Sequence, residues 1–483
     1  MSQSLIPEEQ LGNLFVQYSK KLPESIVQLP GSGSYRQYYR IKSNQTTIIG
    51  VYNDDLAENA AFLSFTKHFY KMGLPVPEVL AEGKAQNVYL LQDLGDNTLL
   101  NHLQKLNYPG EIRSEVIDVY KQILEQLPRF QILGNDGLDY SLCHPRHAFD
   151  RQSMMWDLNY FKYYFLKLAK VPFHEQALEN DFNVLVDFLL TADCNHFLYR
   201  DFQSRNIMLL DNKLYFIDYQ GGRKGALHYD IASILFEAKT SIPADIREEL
   251  LDHYLVVLNK YLPVKRDDFL NHYYGYVYIR LMQAMGAYGF RGLYEKKELF
   301  LQSIPLVLNH LDWLLTHVKL PVELPELTKV WKYLSESGYV RQLAKNHLQL
   351  TISINSFSYR RGIPQDESPN GGGFVFDCRS VHNPGRYDEY KNLNGKDEAV
   401  RKFLENEAEM GDFLKSVYNM VDKSAEKYLE RGFTSLMVNF GCTGGQHRSV
   451  YAAENLYQHL LQKLKNKNVV IKLRHRELEM KGL

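Results

Sequence analysis

The sequence predicts an α+β architecture followed by a separate α/β domain, and three observations carry that reading. Short alternating strands with one helix fill the first 95 residues. Helical periodicity then dominates to about residue 335, broken by a compact β-rich passage from His196 to Ile217. After Leu350, strands and helices alternate as in an α/β unit. At about 150 residues per domain, a chain of 483 residues has room for about three folding units, each able to bury a core.

Taken in order, Val27 to Tyr52 alternates around Gly31-Ser32-Gly33-Ser34 and a polar turn at Ser43-Asn44-Gln45, which predicts two or three antiparallel strands. A helix follows with Ala57, Ala60, Ala61, Phe65 and Phe69 near one face, ending before Gly73-Leu74-Pro75-Val76-Pro77. Val88-Tyr89-Leu90-Leu91 predicts another strand. The domains are expected at 1–95, 96–335 and 350–483, with a linker at 336–349. The linker follows a proline-started polar helix that opens Pro321-Val322-Glu323-Leu324-Pro325. In the last domain, Leu348–Ser356, Phe374–Asp377, Thr434–Phe440 and Val469–Leu473 read as strands, and 399–429 and 448–464 as helices. Tyrosine is over-represented, with 34 residues, and its clusters at Tyr160, Tyr163 and Tyr164 and at Tyr273, Tyr274, Tyr276 and Tyr278 read as packing surface.

Charge narrows the function. Lys+Arg total 56 against 57 Asp+Glu, so the net charge is −1, which argues against a protein whose main work is coating nucleic acid or an anionic membrane. The N-terminus Met1-Ser2-Gln3-Ser4-Leu5-Ile6-Pro7 has no secretory-signal pattern and no apolar run reaches membrane-spanning length, so the expectation is a cytoplasmic protein. Cys143, Cys194, Cys378 and Cys442 form no Cys-x-x-Cys pair and predict neither a zinc knuckle nor a disulfide framework.

The strongest chemistry lies between Leu198 and Asp218. Two apolar strands, Ile207–Leu210 and Leu214–Ile217, flank an Asp-Asn-Lys turn and form a hairpin, which brings Asn206 at one end beside Asp218 at the other. Asp201 lies on the loop feeding the hairpin. One carboxylate can then accept a hydroxyl proton while the amide and the second carboxylate hold Mg²⁺ on nucleotide phosphates. Asp230, in His228-Tyr229-Asp230-Ile231-Ala232-Ser233, extends the pattern.

These stretches, with Phe216-Ile217-Asp218-Tyr219-Gln220 and Ser34-Tyr35-Arg36-Gln37-Tyr38-Tyr39-Arg40, resemble the aminoglycoside phosphotransferase and choline kinase superfamily over about residues 10 to 335. Within it they look most like cell-wall-recycling kinases of N-acetylmuramate and N-acetylglucosamine. The resemblance implies a protein-kinase-like bilobal fold, ATP and Mg²⁺ as cofactors, and a small-molecule sugar substrate. It further implies Asp201 as catalytic base, Asn206 and Asp218 as metal ligands, and Asp230 as a structural acid. Gly31, Ser32 and Gly33 would form a phosphate-covering turn, an ordinary hairpin turn being the alternative. Gln92, Asp93 and Leu94 would be the hinge that touches adenine with its backbone. Two positions depart from the family pattern: Tyr199 stands in the place of a histidine, and the strand Thr46–Tyr52 has no lysine for the α/β-phosphates. Arg36, Arg40 or Lys42 could supply that charge, and Glu58 reads as a solvated helix-start glutamate, the acid of the small-lobe helix being the alternative. Both departures would suit the competing class, a nucleotide-binding pseudokinase acting as a regulatory adaptor of a protein or RNA partner.

A second motif, Gly441-Cys442-Thr443-Gly444-Gly445-Gln446-His447-Arg448-Ser449, joins an apolar strand to an amphipathic helix, a setting in which converging amides and Arg448 favour a bound phosphate. The spacing also fits the phosphate loop of cysteine phosphatases, for which Asp377 is the available acid, and a purely structural turn. The stretch resembles the C-terminal domain of RapZ, a bacterial adaptor that senses glucosamine-6-phosphate. Ser356–Pro364, Val375–Arg379, Asn383-Pro384, Leu393–Asp397 and Arg474-His475-Arg476 align in order with it. That resemblance implies a phosphosugar pocket at Arg360, Asp377, Cys442, Thr443, Gly444, His447 and Arg448, and self-association through this domain. Gly385 replaces a family histidine, and RapZ's nucleotide P-loop, Gly-x4-Gly-Lys-[Ser/Thr], is absent.

Overall fold

Alternation between Ser25 and Tyr52 becomes three antiparallel strands in a computed structural model of the chain: β1 (Ser25–Gln28), β2 (Gln37–Ser43) and β3 (Thr46–Tyr52). The structure describes residues 6–30, 36–44, 46–106, 108, 114–341, 350–365, 372–431 and 433–482. The chain divides into two compact units, Met1–Ala287 with Leu306–Glu336, and Tyr288–Pro305 with Ser337–Leu483.

In the first unit, β4 (Val79–Glu82) and β5 (Val88–Gln92) complete a sheet of order β1-β2-β3-β5-β4. Its segment carries two helices where one was expected. Helix Pro7–Ser19 buries Leu11, Leu14 and Phe15 against Ile41, Ile48 and Leu90 of the sheet. The close approach requires Gly50, where a Cβ would come within 2.9 Å of Leu11 Cδ2. Helix Leu56–Lys71 is capped by Asp55, whose carboxylate accepts from the Glu58 amide at 3.0 Å. Its phenylalanines insert among the rings of the helical lobe. Phe62 stacks on Tyr219 at 5.5 Å, Phe65 meets Phe197, and Phe69 contacts Phe130, Phe197 and Tyr219. These contacts fix the small lobe's helix above the loops that follow.

The helical lobe is interrupted by two antiparallel strand pairs, β6 (His196–Leu198) with β9 (Arg223–Gly225), and between them in sequence a hairpin of β7 (Ile207–Leu210) with β8 (Lys213–Phe216). Asp211 and Asn212 turn this hairpin with φ of 50° and 59°, the left-handed pair that a tight two-residue turn requires. Tyr273, Tyr276 and Tyr278 are buried, in keeping with their reading as packing surface. The helix read as polar is amphipathic: Pro325–Glu336 buries Leu327, Val330, Trp331 and Leu334, and Trp331 stacks on Tyr278 at 4.0 Å. Asp181 holds its start, accepting from the amides of Glu326 and Leu327 at 2.7 and 2.8 Å.

The second unit contains a parallel sheet of β10 (Leu350–Ser358), β11 (Gly373–Asp377), β12 (Ser435–Cys442) and β13 (Val469–His475), in the order β11-β12-β10-β13. The helix expected over 399–429 is two, Glu398–Glu405 and Ala408–Arg431. Helix Arg448–Lys463 starts at the loop after β12, and Val438, Phe440, Leu456 and Leu460 lie in the buried core. The loop Gly441–Ser449 therefore stands at the carboxyl end of the sheet, where open parallel folds place their ligands. No helix among the described residues is long and apolar enough to cross a membrane.

Candidate functional site

The loop that carries Asp201 is built around a buried acid. Asp230, 0% exposed, accepts from the amides of Tyr199 at 2.8 Å and Arg200 at 3.0 Å. Burial pushes its carboxyl up to about 7 against the pull of those donors. They hold Arg200 at φ 81°, a left-handed conformation rare for a side chain of this size. The Arg200 guanidinium closes bidentately on Asp157, at 2.7 and 2.6 Å, and donates to the Tyr229 hydroxyl at 2.9 Å. The chain then delivers the Asp201 carboxylate beyond this anchor.

The hairpin does what its spacing predicts. Asn206 Nδ2 donates to the Asp201 carbonyl at 2.9 Å and to Asp218 Oδ2 at 3.0 Å, while the Ile217 amide donates back to the Asn206 carbonyl at 3.0 Å. Tyr199, in the place of the family histidine, donates its hydroxyl to the Ile217 carbonyl at 2.7 Å and so supports Asp218, which sits at φ 70°. Tyr199→Phe removes that donor and leaves a buried carbonyl unpaired. A loss of about 1–3 kcal/mol in unfolding free energy, accompanied by a fall in kcat, is the expected result of denaturant titration and steady-state assay.

These residues fit a divalent cation. Burial first, and the negative charge of Asp201 second, raise Asp218 to about 6, so a cation is what relieves the pair. Because Asn206 Nδ2 is used within the protein, Oδ1 is its atom for a cation. Among the described residues, no group of three His, Cys, Asp or Glu side chains could hold a metal by themselves, so nucleotide phosphates would have to complete the shell.

The three cations expected to replace the missing lysine have different surroundings. Arg36, at the entrance of β2, is 4% exposed, lies 5.4 Å above the Phe62 ring, and places Nη2 3.2 Å from Glu58 Oε1. That distance pairs the charges, yet Nε and Nη2 make no hydrogen bond although both are buried. Gln220 Nε2 links Asp218 Oδ1 at 2.8 Å to Glu58 Oε1 at 3.2 Å. The reading of Glu58 as a solvated residue is therefore corrected: Asn53, Arg36 and Gln220 all reach its carboxylate. Arg40 is instead locked on Asp93, at 2.7 and 3.1 Å, and on Asp96, at 2.9 and 3.0 Å, and Lys42 is exposed. Of the predicted hinge, the Asp93 carboxylate is thus used by Arg40, Gln92 lies in β5 with its amide on the Glu78 carbonyl, and Leu94 is buried. Gly31, Ser32 and Gly33 lie outside the described residues.

In the second unit, a cavity of about 280 Å³ opens beside the strand ends, lined by Ser358, Arg360, Arg361, Gly444, Glu477, Met480 and Lys481. Of the seven residues expected there, it brings in Arg360 and Gly444, while Thr443 lends only its carbonyl, which accepts from Ser358 Oγ at 2.7 Å. Arg448 turns inward: it is 5% exposed and donates Nη1 to the carbonyls of Arg379 and Val381 at 3.0 and 2.7 Å. Those carbonyls, at the end of the turn after β11, take Nη1 alone, while Nε is buried with no hydrogen-bond partner among the described residues. Burial lowers the His447 pKa, and its Nε2 lies 2.9 Å from the Tyr390 carbonyl. Cys442 is 3% exposed beneath the loop, with Sγ 3.2 Å from Ser449 Oγ and accepting from the Gly445 amide at 3.2 Å. Asp377 is tied to Arg379 and its carboxyl is held below the usual range. Asp377, the acid expected for a phosphatase reading, is thus engaged by Arg379. Arg361 and Lys481 are the lining cations that the sequence motif did not single out; their distance from the glycine loop in sequence hides them.

Residues 25–265 match the phosphotransferase enzyme family, and residues 350–479 match the RapZ C-terminal domain. Nucleotide-binding proteins from Cereibacter sphaeroides and Endomicrobium trichonymphae are 37% and 35% identical over 134 and 153 residues, which are 28% and 32% of this chain and 41% and 48% of theirs. The chain thus spans less than half the length of these curated relatives. Among solved structures, similar folds include a choline kinase from Cryptosporidium parvum, at a TM-score of 0.43 and 11% identity over 64% of this chain and 93% of that one. A spectinomycin phosphotransferase in complex with ADP and spectinomycin gives 0.41 and 10%, covering 70% and 97%.

Proposed function

With residues 25–265 belonging to the phosphotransferase enzyme family and residues 350–479 to the RapZ C-terminal domain, we propose that this chain phosphorylates an amino-sugar hydroxyl with Mg-ATP and binds a hexosamine phosphate in its second unit. The observation that carries the first half is the convergence of Asn206 on both Asp201 and Asp218. Asp201 would accept the hydroxyl proton while the acceptor oxygen bonds the γ-phosphorus and the bond to the departing ADP oxygen breaks. Mg²⁺, held by Asn206 and Asp218, would supply charge neutralisation on the phosphates. Arg36 would stand in for the strand lysine, and the backbone of Gln92 to Leu94 would meet adenine.

In the second unit, Arg360, Arg361 and Lys481 beside Gly444 make a cationic pocket of the size of a sugar phosphate. The pairing of a sugar kinase with such a pocket suits product handling or feedback in cell-wall hexosamine recycling, in the cytoplasm. Phosphorus NMR of the full chain with Mg-ATP and a panel of hexosamines tests both halves. A new sugar-phosphate resonance is expected, together with broadening of added glucosamine 6-phosphate; ATP that stays intact with every sugar refutes the kinase reading. That last result would favour the nucleotide-binding adaptor.

A further inference from the structure

One side chain joins the two halves of the candidate site. Gln220, two residues after Asp218, is 8% exposed and donates Nε2 to Asp218 Oδ1 at 2.8 Å and to Glu58 Oε1 at 3.2 Å. Both hydrogens of its amide are thereby spent, and turning the amide over would set its oxygen against two carboxylates. The partners fix which end faces them.

Both carboxylates are gripped elsewhere as well. Asp218 Oδ2 accepts from Asn206 Nδ2 at 3.0 Å, so Asn206 and Gln220 hold one oxygen each. Glu58 Oε2 accepts from Asn53 Nδ2 at 2.9 Å, and Glu58 Oε1 meets both Gln220 Nε2 and Arg36 Nη2, each at 3.2 Å. A chain of contacts thus runs from Arg36 through Glu58 and Gln220 to Asp218. The same helix holds this segment a second time. Glu58, Phe62 and Thr66 are spaced four apart on one face of Leu56–Lys71. Phe62 stacks on Tyr219 at 5.5 Å, and Thr66 Oγ1 lies 2.6 Å from the Tyr219 hydroxyl. Tyr219 and Gln220 therefore dock together on the small lobe's helix, and Asp218 directly precedes them.

We infer that Gln220 is a positioning residue that makes binding of the divalent cation and of the nucleotide phosphates mutually favourable. The inference rests on the kinase reading above, in which Asp218 holds the cation and Arg36 the phosphates. A phosphate that draws Arg36 away leaves Glu58 Oε1 to Gln220 alone. The amide is then held more firmly, and with it Asp218 Oδ1. A cation drawn to Asp218 orders the same chain from its other end. Coupling of this kind is reciprocal, and Gln220 can be replaced while both Arg36 and Asp218 stay in place.

Calorimetric titration of ADP into the full-length protein, first in EDTA and then at saturating Mg²⁺, gives the coupling as the ratio of the two dissociation constants. The affinity of ADP for Mg²⁺ in solution is common to all variants and cancels between them. Gln220→Leu is expected to lower the ratio at least about fivefold, the lower end of ordinary coupling between sites, while Kd in EDTA stays within about threefold. Gln220→Asn keeps the amide on a shorter stem that cannot span both carboxylates, and its ratio should fall too. Glu58→Ala cuts the chain on the other side, so the double variant Gln220→Leu/Glu58→Ala should lose no more than the larger single loss. A ratio that Gln220→Leu and Gln220→Asn leave at the native value, or losses that add in the double variant, overturns the inference while the kinase reading stands. Equal weakening with and without Mg²⁺ also overturns it, since that is the mark of a residue that only shapes the pocket. Native protein that binds no ADP in either condition overturns the kinase reading itself.

Discussion

Asp201→Asn lowers kcat by about 10²- to 10⁴-fold, the range for loss of a positioned general base, while the Kd for ADP stays within about threefold. The split follows from geometry. The loop is held through the Asp201 carbonyl, which accepts from Asn206, and through the amides of Tyr199 and Arg200 on Asp230; none of these uses the Asp201 side chain. An amide in its place keeps the shape and loses the lone pair that takes the hydroxyl proton. Single-turnover assay with ATP, set beside calorimetric titration of ADP, reads the two quantities separately. Undiminished turnover would remove Asp201 from the chemistry.

Arg36→Gln is expected to lower kcat/KM for ATP by about 10²- to 10³-fold, the scale of deleting one donor from a preorganised anion site. Arg36→Lys should restore part of it, since a point charge serves a phosphate less well than a fork but still serves it. Glu58→Gln separates the contributions. It leaves Arg36 without its carboxylate partner at 3.2 Å, so it should disturb KM for ATP less than Arg36→Gln does. Full activity in Arg36→Gln would mean that the phosphate charge comes from elsewhere.

The parts that could be read from sequence are those made by near neighbours. Asn206 and Asp218 meet because ten residues of hairpin fold back through a two-residue turn, and strands, turn residues and spacing are all local signals. The strands of the second unit were legible for the same reason: β10 alternates, β12 and β13 open on short apolar runs, and helices or long loops separate them. Helix Pro7–Ser19 was less visible, since its apolar face of Leu11, Leu14 and Phe15 is short and only the sheet beneath gives it a reason to fold.

What the sequence determined by itself is the pair of segments and the order of their chemical groups, because periodicity and turn chemistry act within a few residues. Which cation is paired within the protein, and which arginine turns inward, only the tertiary structure decided. Arg36, Arg40 and Lys42 lie within seven residues of one another and are equivalent in sequence, yet Arg40 meets Asp93 and Asp96 from more than 50 positions away and Lys42 is exposed. Arg448 has the spacing of an anion donor, and two carbonyls on the turn after β11 take its Nη1. Charge availability depends on burial and on partners far along the chain, and a buried side chain bonds to the group that packing puts within reach.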